Sequence, residues 1–196
     1  MEKILELDKK LFLELNSYHN PWLDQLMMFL SSTSAWIPLY LILLYAIIKN
    51  FRKDTWIVLL AVTITILLAD QITSSFMKPF FERLRPSHDP ELAGVVNIVD
   101  QYRGGRYGFA SSHAGNTFGV ATLMWLFLKS YRPWVGILFF WALGVGYTRI
   151  YLGVHYPGDI IAGQLIGFLS ALVAYFISTR IKKIIESRSI LRSRGK

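Results

Sequence analysis

Residues 146–159 read GYTRIYLGVHYPGD, and this stretch lies between two apolar runs, Pro133 to Tyr147 and Pro157 to Ile177, each long enough to enter a bilayer. It sets Arg149, His155 and Asp159 close together in the chain. A cation, an imidazole and a carboxylate at a membrane boundary point to anion chemistry. Phosphate is the anion that fits, because a guanidinium offers a planar fork of donors matched to phosphate oxygens.

The rest of the chain supports the membrane setting. Of 196 residues, 53% are apolar, 15% aromatic and only 17% charged, well below the charged fraction of an ordinary soluble domain. The charges cluster between apolar runs, as they must where hydrocarbon excludes uncompensated charge. A soluble helical bundle would lack the polar sequence to cover these runs. The absence of cysteine excludes a disulfide framework, a thiolate nucleophile and a thiolate metal site. The formal net charge of +8 collects at the ends of apolar runs and at the C-terminus, which implies anionic lipid headgroups as partners rather than nucleic acid.

In chain order, Ile4, Leu7, Leu11 and Leu15 recur at helical spacing with Glu6, Lys9, Lys10 and Glu14 on other faces, and Leu5 and Phe12 widen the stripe. Residues 1–20 therefore read as an amphipathic helix, lying in the interface or docked on the bundle, and too charged for a cleavable signal. Spans are predicted at Leu26 to Ile48, with Ser31 to Ser34 and Pro38 as softer points inside it, and at Trp56 to Met77, His113 to Leu128, Pro133 to Tyr147 and Pro157 to Ile177. Asp70, deep in the second, should face inward, as a partner for polar groups near the site or in a structural role. Residues 78–112 form a long extramembrane loop and 180–196 a basic tail. The fold class is all-α: a polytopic membrane helical bundle, one domain over 1–196, with about five transmembrane helices. Five spans place the 78–112 loop and Thr148 to Tyr156 on one membrane face, opposite the tail and the turns at 49–54 and 129–132. That opposite side carries 12 of the 21 Lys and Arg residues and is predicted to be cytoplasmic, which leaves the motif face outside, periplasmic in a bacterium with two membranes.

Three motif clusters share the motif face: KPFFERLRP at 78–86, FASSHAG at 109–115 and TRIYLGVHYPGD at 148–159. Together they resemble the type 2 phosphatidic acid phosphatase superfamily, membrane lipid phosphatases related to vanadium haloperoxidases, whose signature is K-x6-R-P, then P-S-G-H, then S-R-x5-H-x3-D. The first motif matches at Lys78, Arg85 and Pro86, and the third at Arg149, His155 and Asp159. The departures are Ala110 for Pro, Ser112 for Gly and Thr148 for Ser, the last keeping a hydroxyl and so expected to keep a tuned contact.

The chemistry of these residues agrees with what the resemblance implies. Lys78, Arg85 and Arg149 would hold the phosphoryl group, whose transition state spreads charge over three oxygens. Ser111, and the backbone N–H groups at Ser112 and His113 at a helix start, would add donors. His155 is the expected nucleophile, with Asp159 one helical turn on to hold its other ring nitrogen, and His113 the general acid and base. Arg83 and Arg106 read as substrate contacts or, as the better reading, solvated loop cations, and His19 and His88 as surface residues. The carboxylates of this face show no metal-ligand spacing, and the resemblance implies metal-independent hydrolysis without a cofactor. The implied substrates are lipid phosphates or diphosphates such as undecaprenyl diphosphate, phosphatidylglycerophosphate, phosphatidic acid or lipid A phosphates. A phosphotransferase using the same site and a non-catalytic headgroup-binding or transport protein are the alternative readings.

Overall fold

A computed structural model describes residues 2–194, with side chains described through residue 188. Among these residues the structure is helical, relieved by one isolated backbone bridge between Leu84 and Tyr107. The helices are α1 (Glu2–Asn16), α2 (Pro21–Ser31), α3 (Ile37–Phe51), α4 (Thr55–Asp70), α5 (Lys78–Phe81), α6 (Ser112–Leu128), α7 (Leu138–Tyr151) and α8 (Pro157–Arg194).

Local chemistry sets the boundaries. Asn20 caps α2 by accepting the Leu23 N–H at 2.9 Å, and Pro21 occupies the first turn where its missing N–H costs nothing. Ser32 is extended and Thr33–Trp36 forms a 3-10 turn, so the run predicted as one span from Leu26 to Ile48 is two helices joined by a kink. Between α4 and α5 the helix widens into a π-helical stretch, Gln71–Met77, of a kind found mostly where function re-aims side chains. The basic tail is not a separate segment, since α8 carries it onward as helix to Arg194. Gly195 and Lys196 lie outside the described residues.

At the centre of the bundle α4, α6 and α8 all pack directly on one another. Gly115 and Gly119 of α6 face Gly163 and Gly167 of α8, a pair of small-xxx-small stripes that lets two backbones touch. A Cβ on Gly167 would lie 2.0 Å from the Gly115 carbonyl oxygen, and one on Gly163 2.3 Å from that of Ser111. The apolar core around Ala61, Ala121, Leu123, Met124, Leu128 and Ala171 lies beside this crossing. Large apolar residues such as Leu41, Phe140, Ile161, Leu165 and Phe176 face outward, as a lipid solvent requires.

Among the described residues, three stretches are long and apolar enough to cross a membrane: Thr33–Phe81, which turns back at 52–54, Pro133–Tyr151, and Pro157–Arg188. At one end of the bundle Lys182 pairs with Asp54 at 2.8 Å and Tyr131 meets Phe51, ring centroids 5.9 Å apart, which gathers α8, the 52–54 turn and the 129–132 turn. At the other end lie α1, the 82–111 loop and the turn between α7 and α8. There α1 is docked through Asp8, Phe12 and Asn16, while Ile4, Leu7 and Leu11 stay exposed. The two faces of the helix thus serve different neighbours.

Candidate active site

The third motif is built on a reversal of the chain. α7 runs on to Tyr151, so Thr148 and Arg149 stand in its last turn. Gly153, at φ +72°, then turns the backbone under Asn97, whose carbonyl oxygen would lie 2.9 Å from any added Cβ. The Val154 and His155 N–H groups donate back to the Arg149 carbonyl at 3.1 and 3.2 Å, which fixes the arginine and the histidine relative to each other. α8 starts at Pro157, and Asp159 in its first turn accepts the Tyr156 N–H at 3.0 Å, half of a capping box. The same carboxylate oxygen, Oδ2, lies 3.3 Å from His155 Nδ1. The i,i+4 spacing thus directs Nε2 of His155 away from its partner and leaves it free to react.

The pair is enclosed. His155 is 2% exposed and Asp159 fully buried, with Gly108 laid over them so closely that a Cβ there would sit 3.0 Å from Asp159 Oδ2. Burial, seconded by the guanidinium groups of Arg85 and Arg149 and the ammonium of Lys78, holds the His155 imidazole well below its ordinary 6.5, against a weaker upward pull from the Gly108 backbone. The ring is neutral at physiological pH, the form in which an imidazole is a nucleophile.

The cations arrive from three elements. The loop folds so that residues 83–85 pair with 106–108, through Arg85 N–H to Arg106 O at 3.1 Å and Gly108 N–H to Arg83 O at 2.9 Å. The Arg85 side chain then runs inward across Gly104, donating to Tyr107 O at 3.1 Å. Lys78, re-aimed by the π-helical stretch, donates to Ser112 Oγ at 2.7 Å and to Ser74 Oγ at 3.1 Å. Arg149 is 3% exposed and is held by Ser31 Oγ and by Tyr102 Oη at 2.9 Å, while its Nε is buried with no hydrogen-bond partner among the described residues.

Ser111 is the N-cap of α6. Its hydroxyl accepts the Ala114 N–H at 3.5 Å, and its own N–H donates to the Asp159 carbonyl at 3.0 Å, so the starts of α6 and α8 are tied together. The Ser112 and His113 N–H groups, in the first turn, have no carbonyl to bond within the helix. His113 also lines a cavity of about 420 Å³ that runs among α3, α4, α6 and α7 past Leu43, Ile47, Val62 and Trp141.

Comparison with known proteins gives this geometry its context. The family model of the PAP2 superfamily matches residues 54–183. The chain belongs to the PAP2 superfamily. A lipid A 4'-phosphatase of Bacteroides thetaiotaomicron is 39% identical over 100% of this chain and 87% of its own length. One of Porphyromonas gingivalis is 37% identical over 90% of this chain and 74% of its own. The crystal structure of Aquifex aeolicus LpxE superposes with a TM-score of 0.61 at 28% identity, over 86% of this chain and 94% of that one. A PAP2-type phosphatidylglycerolphosphate phosphatase from Bacillus subtilis shares the fold, with a TM-score of 0.65 at 24% identity over 92% and 89%.

The PAP2 motif residues named from sequence, Lys78, Arg85, Ser111, Ser112, His113, Arg149, His155 and Asp159, lie at the same end of the bundle. Three sequence readings are corrected. The Thr148 hydroxyl is turned along its own helix, donating to the Val145 carbonyl at 2.7 Å within α7 and not to a motif residue. His19 and His88 are partly buried, and His19 is bonded to Asp24 at 2.9 Å and lies against the Tyr151 ring. Arg83 is not a solvated loop cation. It bridges Asp159 Oδ1 at 2.8 Å and Asp8 Oδ2 at 2.7 Å and lies over the Tyr156 ring at 4.1 Å. Asp8, Ser31 and Tyr102 also went unread, since each reaches the motif residues through tertiary contact without local spacing to betray it. Arg83, two residues from Arg85 inside the first motif, and Ser74, four residues before Lys78 in the same helical run, were the ones with a signal. Asp70 joins the polar side of α4 by accepting the Ser74 hydroxyl at 3.2 Å, one step from Lys78.

Proposed function

We propose that this PAP2-type membrane lipid phosphatase hydrolyses a phosphate monoester on a lipid by way of a phosphohistidine at His155. The observation that carries the reading is a buried, neutral His155 held at Nδ1 by Asp159, with Lys78, Arg85 and Arg149 directed to the same end of the bundle. Nε2 attacks phosphorus while the phosphoryl oxygens rest on the three cations, the Ser111 hydroxyl and the free N–H groups of Ser112 and His113. The P–O bond to the lipid breaks and a P–N bond forms, and His113, which takes up a proton as the phosphate anion enters and offsets the three cations, gives that proton to the leaving oxygen. Water then attacks phosphorus, losing its proton to His113, and the P–N bond breaks to release phosphate and restore both histidines. Asp159 favours the charged imidazole that exists while the phosphoryl group is attached.

The cavity beside His113 supplies an apolar bed for the lipid chain, so the headgroup is processed at the bundle end while the chain stays in the bilayer. Lipid A type phosphate is the favoured substrate, supported by similarity to two proteins named lipid A 4'-phosphatase over 87% and 74% of their lengths. The site would face outward from the inner membrane, because the sequence segments assigned to the opposite face carry 12 of the 21 Lys and Arg residues, the excess expected of a cytoplasmic side. The test is phosphate release in detergent with chelator present, from lipid A phosphate, undecaprenyl diphosphate, phosphatidylglycerophosphate and phosphatidic acid. Release strongest from lipid A phosphate and abolished in His155→Ala is expected. Full activity in His155→Ala would remove the nucleophile assignment, and binding of all four without turnover would favour a headgroup-binding protein.

A further inference from the structure

Asp8 and Arg83 form, with Asp159, a three-part ionic chain that ends on His155, and Asp8 is delivered by the N-terminal helix from the far end of the sequence. Arg83 Nη1 donates to Asp159 Oδ1 at 2.8 Å, which leaves Oδ2 for His155 Nδ1 and the Tyr156 N–H. Arg83 Nη2 donates to Asp8 Oδ2 at 2.7 Å, and Asp8 Oδ1 accepts the Gly158 N–H at 2.8 Å, in the first turn of the helix that bears Asp159. A side chain at 158 would strike Asp8, the nearest carboxylate oxygen lying 2.8 Å from an added Cβ. The docking is reinforced beside it. Lys9 pairs with Asp89 at 3.1 Å, Asp89 accepts the Tyr156 hydroxyl at 2.8 Å, and Phe12 packs edge-on against the Tyr156 ring.

From this arrangement we infer that Asp8 and Arg83 are positioning residues for the phosphoryl transfer, and that α1 is part of the catalytic apparatus. The inference rests on the reading of His155 as nucleophile. Its physical content is a division of charge. A lone guanidinium beside Asp159 would neutralise that carboxylate and compete with the imidazole for it. With Asp8 on its other edge, Arg83 is shared between two carboxylates, so the Arg83–Asp8–Asp159 group keeps one net negative charge against His155. Arg83 also fixes the rotation of the Asp159 carboxylate, and small losses of alignment at a reacting group carry large losses of rate. Asp8 in turn ties the start of α8 to α1, whose exposed Ile4, Leu7 and Leu11 lie against the membrane surface in the same reading.

The experiment measures kcat and KM separately for Asp8→Asn, Arg83→Lys, Arg83→Ala and His155→Ala, on whichever lipid phosphate the wild type hydrolyses, in monodisperse detergent preparations. Asp8→Asn has nearly the same shape and can still accept the Gly158 N–H. It is expected to lower kcat about tenfold to a hundredfold with KM within about threefold, the pattern of lost alignment rather than lost binding. Arg83→Ala should fall at least as far and recover in part on addition of guanidinium chloride at low millimolar concentration, a rescue that a purely structural role would not produce. Should Arg83→Ala fail to fold, Arg83→Lys, which keeps the charge but not the two-edged fork, is expected to show the same selective loss of kcat. The inference is overturned if Asp8→Asn and Arg83→Lys keep kcat within about twofold of wild type while His155→Ala is inactive. Activity in His155→Ala would instead overturn the reading of the nucleophile.

Discussion

His155 combines two conditions that oppose each other in water: an imidazole kept uncharged, and a carboxylate at its other nitrogen. Burial together with Arg85, Arg149 and Lys78 disfavours the proton, while Asp159 stands ready to favour charge once the phosphoryl group is attached. The depressed value has a stability consequence whose sign is definite. Below about 6.5 the unfolded chain binds a proton at this residue that the folded chain refuses, so stability is full above that pH and falls as pH drops beneath it. Thermal unfolding in detergent between pH 7 and 5 should show a steeper fall for wild type than for His155→Gln; equal slopes would contradict the assignment. Thr148 allows a second test at this scale. Its hydroxyl serves only the Val145 carbonyl, so Thr148→Val should keep activity per folded enzyme within about threefold, the scale of one modest backbone hydrogen bond. A loss of a hundredfold would mean that the hydroxyl reaches the site. The motif residues were legible because phosphate chemistry demands particular side chains at fixed spacings. Asp8 was not, and Arg83 showed only its place inside the first motif and not its partners, because a carboxylate's choice of partner is made by packing after the helices dock.

Among the elements, the α6–α8 crossing decides where the two histidines stand. Gly115, Gly119, Gly163 and Gly167 bring the backbones together, and the Ser111 N–H to Asp159 carbonyl bond locks the top of that contact. Gly167→Ala would press a methyl into the Gly115 carbonyl and force the helices apart, so it should lower both the unfolding midpoint and kcat. Gly144 is the control: nothing lies within 4 Å of a Cβ built there, and Gly144→Ala should leave activity intact and hold or raise the midpoint through better helix propensity. A harmless Gly167→Ala would show that the contact is not constraining. The helices around this crossing were readable from hydropathy, and Ser31 to Ser34 was legible as a soft point, yet the full break into two helices at Ser31 to Trp36 and the π-helical stretch at 71–77 were not. Both are backbone adjustments that bring side chains to the site, Ser31 to Arg149 and Lys78 to Ser112, and such needs leave little trace in apolar periodicity.

The whole molecule has a chemical end and a basic end. The loops that span parity grouped from sequence lie together, with Arg85, Ser111 and His155 at one pole and Lys182 beside Asp54 at the other. Because the natural chain has no cysteine, Val95→Cys and Ser187→Cys each give a single reporter. An impermeant maleimide applied to intact spheroplasts should label position 95 and spare position 187. The reverse pattern would place the site in the cytoplasm. A covalent intermediate on His155 can be trapped by rapid quenching with a 32P-labelled lipid phosphate. Label that is stable in base and labile in acid is expected on the wild-type protein and not on His155→Ala; label of that kind on His155→Ala, or none on the wild type, would contradict a phosphohistidine at this residue.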